Sequence, residues 1–513
     1  MTFISITPEI GIEQLYTYAG GLGVLEGDKF IYAAKNNYDY IVLTLLYRHG
    51  YVDYEFKNEH PVPVPQTHPV PVHKLLSPDE EISIIMKNNE VIIRPWIYSM
   101  GNSKIIFFEP ECPMWARSLI NNVYIEKNND ERYYKYILLA KAAATYIRER
   151  IGLENVDVID IQEAYSALIT LSLPEYQNYR FITHTPGPWG HPYFPKKLLE
   201  EEFGIRLENY EENIMLTKIA MEKAKKIYTV SKKHCLITKQ MFKEYSEKID
   251  YVTNAVETSR WLHPAIRDLL NKYSVSELDP DKLWNTHLSA KKDLIRLLKK
   301  YKPSSEIGID KMFIVWARRL TRYKRPYYIA KFIEEHNNRD LFFILGGKPH
   351  PNDKDGINYM VTFKKLMEKY DNVVYIHNYD IQKAKLVLAG GDLLLFTPFP
   401  GWEACGTSFM KAGINGVPIL ASRDGGALEL IRDGINSWFF GSSIQELINI
   451  YSDEKATLID AKDYDDFVNR LNTVIDAFNT DKYRKIMLNI LRDSLKNFTM
   501  ERLFAQYYPQ LSK

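Results

Sequence analysis

The sequence predicts an α/β protein of two doubly wound, Rossmann-like domains, each a parallel sheet covered by helices on both faces. Three observations carry this. Short apolar runs alternate with amphipathic segments nearly throughout, as buried parallel strands and their crossover helices do. The runs fall into two series, with a polar helical tract between them. The segments richest in glycine, arginine and lysine follow strand candidates directly, where open α/β sheets bind ligands.

The first series is "YIVLTLLY" (40–47), "VDVIDI" (156–161), "YRFITH" (179–184), "KIYTVS" (226–231) and "DYVTNAV" (250–256). The second is "KMFIVWARR" (311–319), "DLFFILGG" (340–347), "NVVYIH" (372–377), "DLLLFTP" (392–398) and "GVPILAS" (416–422). Between them, residues 262–310 read as polar helix until Pro303, Ser304 and Ser305 interrupt it, which places a domain boundary near 303. The expected domains are 1–302 and 303–480. Residues 481–513 form a closing segment, with Tyr483, Met487, Ile490, Leu491 and Phe498 at helical spacing, that docks back on the body. The proline-rich piece 60–73 must be extended. It holds three histidines and no carboxylate of its own, so a structural or substrate-lining loop is expected there rather than a metal site.

Composition narrows the function. The 66 basic and 65 acidic residues leave a net charge of +1, so nothing global argues for nucleic acid or an anionic membrane, and any anion site must be local. Cys112, Cys235 and Cys405 show no CxxC spacing, so neither zinc nor a disulfide framework is indicated. With no long apolar run, a soluble cytoplasmic protein is expected.

Four stretches could carry chemistry. "WEACGTSFMK" (402–411) sets Glu403 and Lys411 eight residues apart; as a helix it would put both on roughly one face, above small residues whose backbone N–H groups attract anions. "TYAGGLGVLEGDKF" (17–30) opens a helix with Gly20, Gly21 and Gly23, bare backbone able to cradle a phosphate. "WARRLTRYKRP" (316–326) packs Arg318, Arg319, Arg322, Lys324 and Arg325 after a strand; its alternatives are an oxyanion site and a solvated basic face. "FITHTPGPWGHPYFP" (181–195) puts His184 at a strand end before a proline loop, which reads equally as a shaped pocket wall.

Taken in order with "LLYRHGY", "VSKKH", "VTNAVETSRWL", "GGKPHP" and "NYDIQKAKLVLAGGD", these stretches resemble the glycogen/α-glucan phosphorylase family, especially its short prokaryotic members without the regulatory amino-terminal extension. The resemblance implies GT-B glycosyltransferase architecture, with the amino-terminal domain serving glucan and phosphate and the second domain serving cofactor and sugar. It implies pyridoxal 5′-phosphate held covalently by Lys411, Glu403 on a sugar hydroxyl, and backbone near Gly406 and Thr407 against sugar and cofactor phosphate. By the same transfer Arg319 and Lys324 bind substrate phosphate, Arg318 partners the cofactor phosphate, and Tyr323 meets the 2-hydroxyl. Gly20 and Gly21 form the backbone phosphate cradle, His184 and Asn254 contact the 6-hydroxyl, and Tyr379 lies beside the cofactor. The partners implied are an α-1,4-glucan and inorganic phosphate and, as the family is usually dimeric, a second copy; no nucleic acid, membrane or metal enters.

The rivals are a nucleotide-sugar-dependent glucan synthase of the same architecture and an inactive carbohydrate-binding relative. The synthase usually has a second glutamate where this chain has Lys411; the inactive relative would be expected to lose Lys411 or the Arg319/Lys324 pair. Departures from the family pattern are Tyr165 for histidine, Cys405 for serine, Ala255 for glycine, and Phe409, which would crowd or repack the cofactor pocket.

Overall fold

The structure, a computed structural model, describes residues 1–338 and 340–512. The chain divides into two compact units: Met1–Val52 with Pro65–Val252, and Asp53–Val64 with residues 253 onward.

In the first unit seven strands run parallel in the spatial order Ile249–Tyr251, Lys226–Thr229, Tyr179–Thr183, Val156–Gln162, Thr2–Ile6, Asp39–Leu45 and Ser103–Cys112. Asn89–Met100 then adds antiparallel and carries Ser77–Pro78 and Ile82–Met86. Thr2–Ile6 is buried along its whole length, as a central strand covered on both faces should be. The chain winds outward from it to Asp39–Leu45 and Ser103–Cys112, then returns to its other side at Val156–Gln162. The strand order therefore reverses between Thr2–Ile6 and Val156–Gln162.

The second unit repeats the plan with six parallel strands: Val373–Ile376, Leu341–Gly346, Met312–Ala317, Leu393–Phe396, Ile419–Ser422 and Trp438–Phe440. In sequence order this is 3-2-1-4-5-6, and the winding reverses between Met312–Ala317 and Leu393–Phe396. Both sheets are thus doubly wound, as the apolar runs predict.

The boundary lies after Val252, not near 303. The tract that looks like a linker contains the helix Pro280–Leu298, started by Asp279, whose carboxylate accepts the Asp281 and Lys282 amides. That helix buries Leu283, Ala290, Leu294 and Leu298, and with them His287 and Lys291. Both polar side chains bond Asp392 at the foot of a sheet strand, at 3.0 and 2.5 Å. Its polar composition belongs to the outer face, and the buried ion pair ties the helix to the second sheet. Helix Asp481–Asn497 is in the same unit and buries Tyr483, Met487, Ile490 and Leu491.

Two other expectations change. The strand expected over 250–256 ends at Tyr251. The proline-rich piece is extended only in part: His60–Val64 pairs with Asp53–Lys57 as a hairpin, and Val72–Leu75 makes a helical turn. The hairpin belongs to the second unit, where Lys348 meets Asp53 at 2.6 Å, Asn378 exchanges two hydrogen bonds with the Tyr54 backbone, and Phe56 meets the His377 ring edge-on. His68 is structural, accepting the Tyr16 amide and donating to the Tyr47 carbonyl. Among the described residues no helix is long and apolar enough to cross a membrane.

Candidate active site

In the second unit the predicted residues gather where the winding reverses. Arg318 leaves the end of Met312–Ala317, and Glu403 lies in the loop after Leu393–Phe396, the adjacent strand. The Arg318 Nη2 donates to Glu403 Oε2 at 2.7 Å, and Lys324 Nζ reaches the same oxygen at 3.5 Å. Arg318 is held from below by the Phe396 ring, 4.0 Å from its guanidinium carbon. Its Nη1 is buried without a hydrogen-bond partner among the described residues.

Electrostatics are coupled here. Burial pushes the Lys324 amine down to about 7, with Arg318 and Arg319 adding to the fall and Glu403 opposing it. Burial works to raise Glu403, but Lys324 and Arg318 outweigh it and hold the carboxyl below its ordinary value. The carboxylate therefore stays ionised at neutral pH, while the amine titrates near it. Arg319 is exposed beside them, and Tyr323 is buried, its ring stacked on Trp402 at 6.1 Å. The basic stretch splits by role, since Arg325 turns into the core against Asp460 and Asp463, and Arg322 covers the Tyr451 ring.

The stretch 402–411 is not one helix. Only Ser408–Gly413 is helical, and residues 402–407 form a loop, so Glu403 and Lys411 do not share a helix face. The loop is held from a distance by buried Asp424, whose carboxylate accepts the Gly401 amide at 2.8 Å and the Glu403 amide at 2.9 Å. Gly425, at φ +51, lets this anchor approach; a Cβ there would stand 2.5 Å from the Glu403 carbonyl. At Gly406 a Cβ would fall 2.7 Å from the Phe396 ring and 3.1 Å from Glu403 Oε1. Phe409 is fully buried and packs edge-on against Phe396 and Phe498.

Lys411 is buried, with its amine 4.0 Å from the centre of the Trp261 ring. Its amide bonds the Thr407 carbonyl at 3.1 Å, and Asn415 bonds the carbonyls of both Lys411 and Trp261, fixing helix and indole together. Asn254 donates its amide to the Cys405 carbonyl at 3.0 Å, and its own carbonyl is held by Arg502. Tyr379 is stacked under the end of Leu341–Gly346, where a Cβ on Gly346 would come 3.1 Å from its ring; its hydroxyl is buried and unpaired among the described residues. Gly347, at φ +125, brings its backbone so close to Arg318 that a Cβ would be 1.7 Å from the Arg318 carbonyl oxygen.

Gly20, Gly21 and His184 lie in the first unit, again at a reversal of winding. Gly20 precedes the helix Gly21–Lys35, but its amide and that of Ala19 already bond Glu9 Oε2, at 3.0 and 2.6 Å, so a carboxylate of the chain itself occupies that part of the cradle. Gly21 is exposed, and a Cβ there would meet nothing within 4 Å. His184 donates Nε2–H to Gln162 Oε1 at 2.8 Å; burial, helped by Lys29 and His234, pushes it down to about 3, so it is a neutral imidazole at physiological pH. Glu9 and Glu163, in the same region, were not marked by any sequence motif of their own.

Residues 268–511 match the model of the carbohydrate phosphorylase family. The chain is 27% identical to the maltodextrin phosphorylase of Thermococcus litoralis over 98% of its own length and 69% of that relative, and 27% identical to the glycogen phosphorylase of Aquifex aeolicus over 85% and 76%. An uncharacterized protein of Methanocaldococcus jannaschii is 26% identical over 98% of both chains. The matched residues include Arg318, Arg319, Tyr323, Lys324, Tyr379, Glu403, Gly406, Thr407 and Lys411; Gly20, Gly21, His184 and Asn254 precede them. Asp424, Gly347 and Trp261 are the positioning residues that sequence reasoning missed. The tract "RDGG" (423–426) was the available signal for the first, since a charge followed by two glycines before a helix suggests a close backbone approach.

Proposed function

We propose that this protein is an α-glucan phosphorylase, in which inorganic phosphate attacks the terminal α-1,4-linked glucose of a glucan with retention and releases glucose 1-phosphate. The observation that carries the reading is the Arg318–Glu403–Lys324 cluster within the residues matched by the carbohydrate phosphorylase model, with Glu403 on the loop that leads into the helix of the buried Lys411. The names of the maltodextrin and glycogen phosphorylases support it. The proposal includes a GT-B arrangement of the two units, a cytoplasmic location and a homodimer.

The residues present fit pyridoxal 5′-phosphate. Arg318 Nη1 and the Tyr379 hydroxyl are buried donors without partners among the described residues, and Lys411 offers a buried amine over an indole. Lys411 would hold the group, with Arg318 on its phosphate and Gly406, Thr407 and Tyr379 around it. When bound, it would supply a second phosphate, and two phosphates held close cannot both stay fully ionised. Arg319 and Lys324 bind the substrate phosphate. An amine titrating at about 7 can hold or release a proton beside that anion, which a lysine of ordinary basicity could not do. Glu403, kept ionised, orients Arg318 and Lys324 and accepts a sugar hydroxyl. Tyr323, His184 and Asn254 orient the ring through its hydroxyls, and the clustered cations stabilise charge beside an oxocarbenium-like centre.

The test is the absorbance spectrum of the purified protein, borohydride reduction with peptide mapping, and glucose 1-phosphate release from maltodextrin. A chromophore trapped on Lys411, lost with release of glucose 1-phosphate in Lys411→Ala, is expected. No chromophore after incubation with pyridoxal 5′-phosphate, or full activity in Lys411→Ala, would sink the phosphorylase reading and favour the nucleotide-sugar synthase.

A further inference from the structure

Glu163 follows the strand Val156–Gln162 at the point where the first sheet reverses its winding, next to the strand that leads to His184. Its backbone stands at φ +61, ψ +163, a conformation that strains a side-chain-bearing residue and persists where the surroundings impose it. The side chain is 8% exposed. One carboxylate oxygen, Oε1, accepts the His184 amide at 3.1 Å and the Thr185 hydroxyl at 2.6 Å, which fixes the orientation of the group. The other, Oε2, is buried with no hydrogen-bond partner among the described residues. Burial lifts the carboxyl to about 7; the bonds from Thr185 and His184 and the nearby Ala164 amide oppose the rise, and Glu9 adds to it.

A buried carboxylate oxygen left without a donor is costly, and a side-chain-bearing residue held at positive φ adds to that cost. What it lacks is a neutral donor. A phosphate would be repelled by Glu163 and by the nearby Glu9, whereas a hydroxyl gives one short, charge-assisted bond. We propose that Glu163 is a further saccharide-binding residue, its Oε2 accepting a ring hydroxyl of the sugar that His184 also meets. The assignment rests on the phosphorylase reading and extends it, since the resemblance places no role on this position.

Isothermal titration of the full chain, loaded with pyridoxal 5′-phosphate, tests it with glucose, the four monodeoxyglucoses and inorganic phosphate as separate probes. Glu163→Gln keeps the shape and the bonds from His184 and Thr185 but removes the anionic acceptor. The expected result is about tenfold weaker glucose binding in the variant, with phosphate affinity unchanged or improved. One deoxyglucose should lose about as much on the natural protein and nothing further on the variant, which identifies the hydroxyl. Glucose binding within twofold of the natural protein would overturn the proposal and leave Glu163 a purely structural, protonated acid. Equal losses for glucose and phosphate would also overturn it, by showing a general disturbance of the fold. If the natural protein binds no saccharide at all, the phosphorylase reading itself fails, and the assignment falls with it.

Discussion

Lys324 should take up a proton when phosphate binds. Its amine titrates at about 7 because burial and two neighbouring guanidinium groups outweigh the attraction of Glu403. At pH 8, one unit above that value, about a tenth of the amines carry charge in the free protein. A bound dianion about 4 Å away favours the ammonium by about 4 kcal/mol per unit charge at an effective dielectric constant of about 20, enough to raise the pKa well past 8. Binding at pH 8 should therefore draw up to about 0.9 proton from solution, since inorganic phosphate is already largely dianionic there. At pH 6, where about nine-tenths of the amines are already charged, uptake at Lys324 should fall to about 0.1 proton or less. Calorimetric titration of phosphate in buffers of different ionisation enthalpy reads the proton count directly. Lys324→Arg is the control, because a guanidinium stays charged throughout and should abolish uptake while retaining a cation. No uptake by the natural protein at pH 8, or equal uptake by Lys324→Arg, would refute the reasoning.

Three substitutions test the supports around the site. Asp424→Ala removes the acceptor of two buried amides, at about 1–3 kcal/mol each, so a melting temperature lowered by several degrees together with a raised KM for phosphate is expected; an unchanged melt would remove Asp424 as the loop anchor. Gly347→Ala must displace the Arg318 backbone, and should cost at least ~2 kcal/mol in thermal unfolding and weaken retention of the cofactor, read from its absorbance after dialysis. Asp392→Ala strands buried Lys291 beside the sheet, a loss of about 3–5 kcal/mol that calorimetry would report as a large fall in melting temperature without any change in the chromophore of the surviving folded protein.

The interiors of both sheets were legible because parallel strands buried on both faces are nearly continuous apolar runs, such as "FIVWA" and "LLLF". The antiparallel extension Asn89–Met100 was not, since its exposed positions dilute the pattern. The boundary was misplaced because a helix with a polar outer face and two buried polar residues, His287 and Lys291, has the composition of a linker. At the candidate site, residue types and chain order singled out Arg318, Lys324, Glu403 and Lys411, of which the structure brings Arg318, Lys324 and Glu403 into contact. Their geometry depended on Asp424, 21 residues from Glu403 in sequence, and on a helix that begins at Ser408 rather than at Trp402. Glu163 was invisible for a different reason: a glutamate forced to positive φ looks like any other glutamate until the backbone is known.

The hairpin Asp53–Val64 makes the chain cross between the two units three times: after Val52, after Val64 and after Val252. A ribosome therefore delivers the Asp53 partner of Lys348 almost 300 residues before the lysine itself. A gene cut at codon 252 yields no pair of self-sufficient pieces: the first fragment holds a ribbon with nothing to lie on, and the second has a buried ammonium without its counter-ion and an Asn378 amide without the Tyr54 backbone. Fragment complementation at that cut would require the ribbon to find its seat in trans, whereas a cut that leaves 53–64 attached to residues 253 onward by circular permutation would keep the second unit whole.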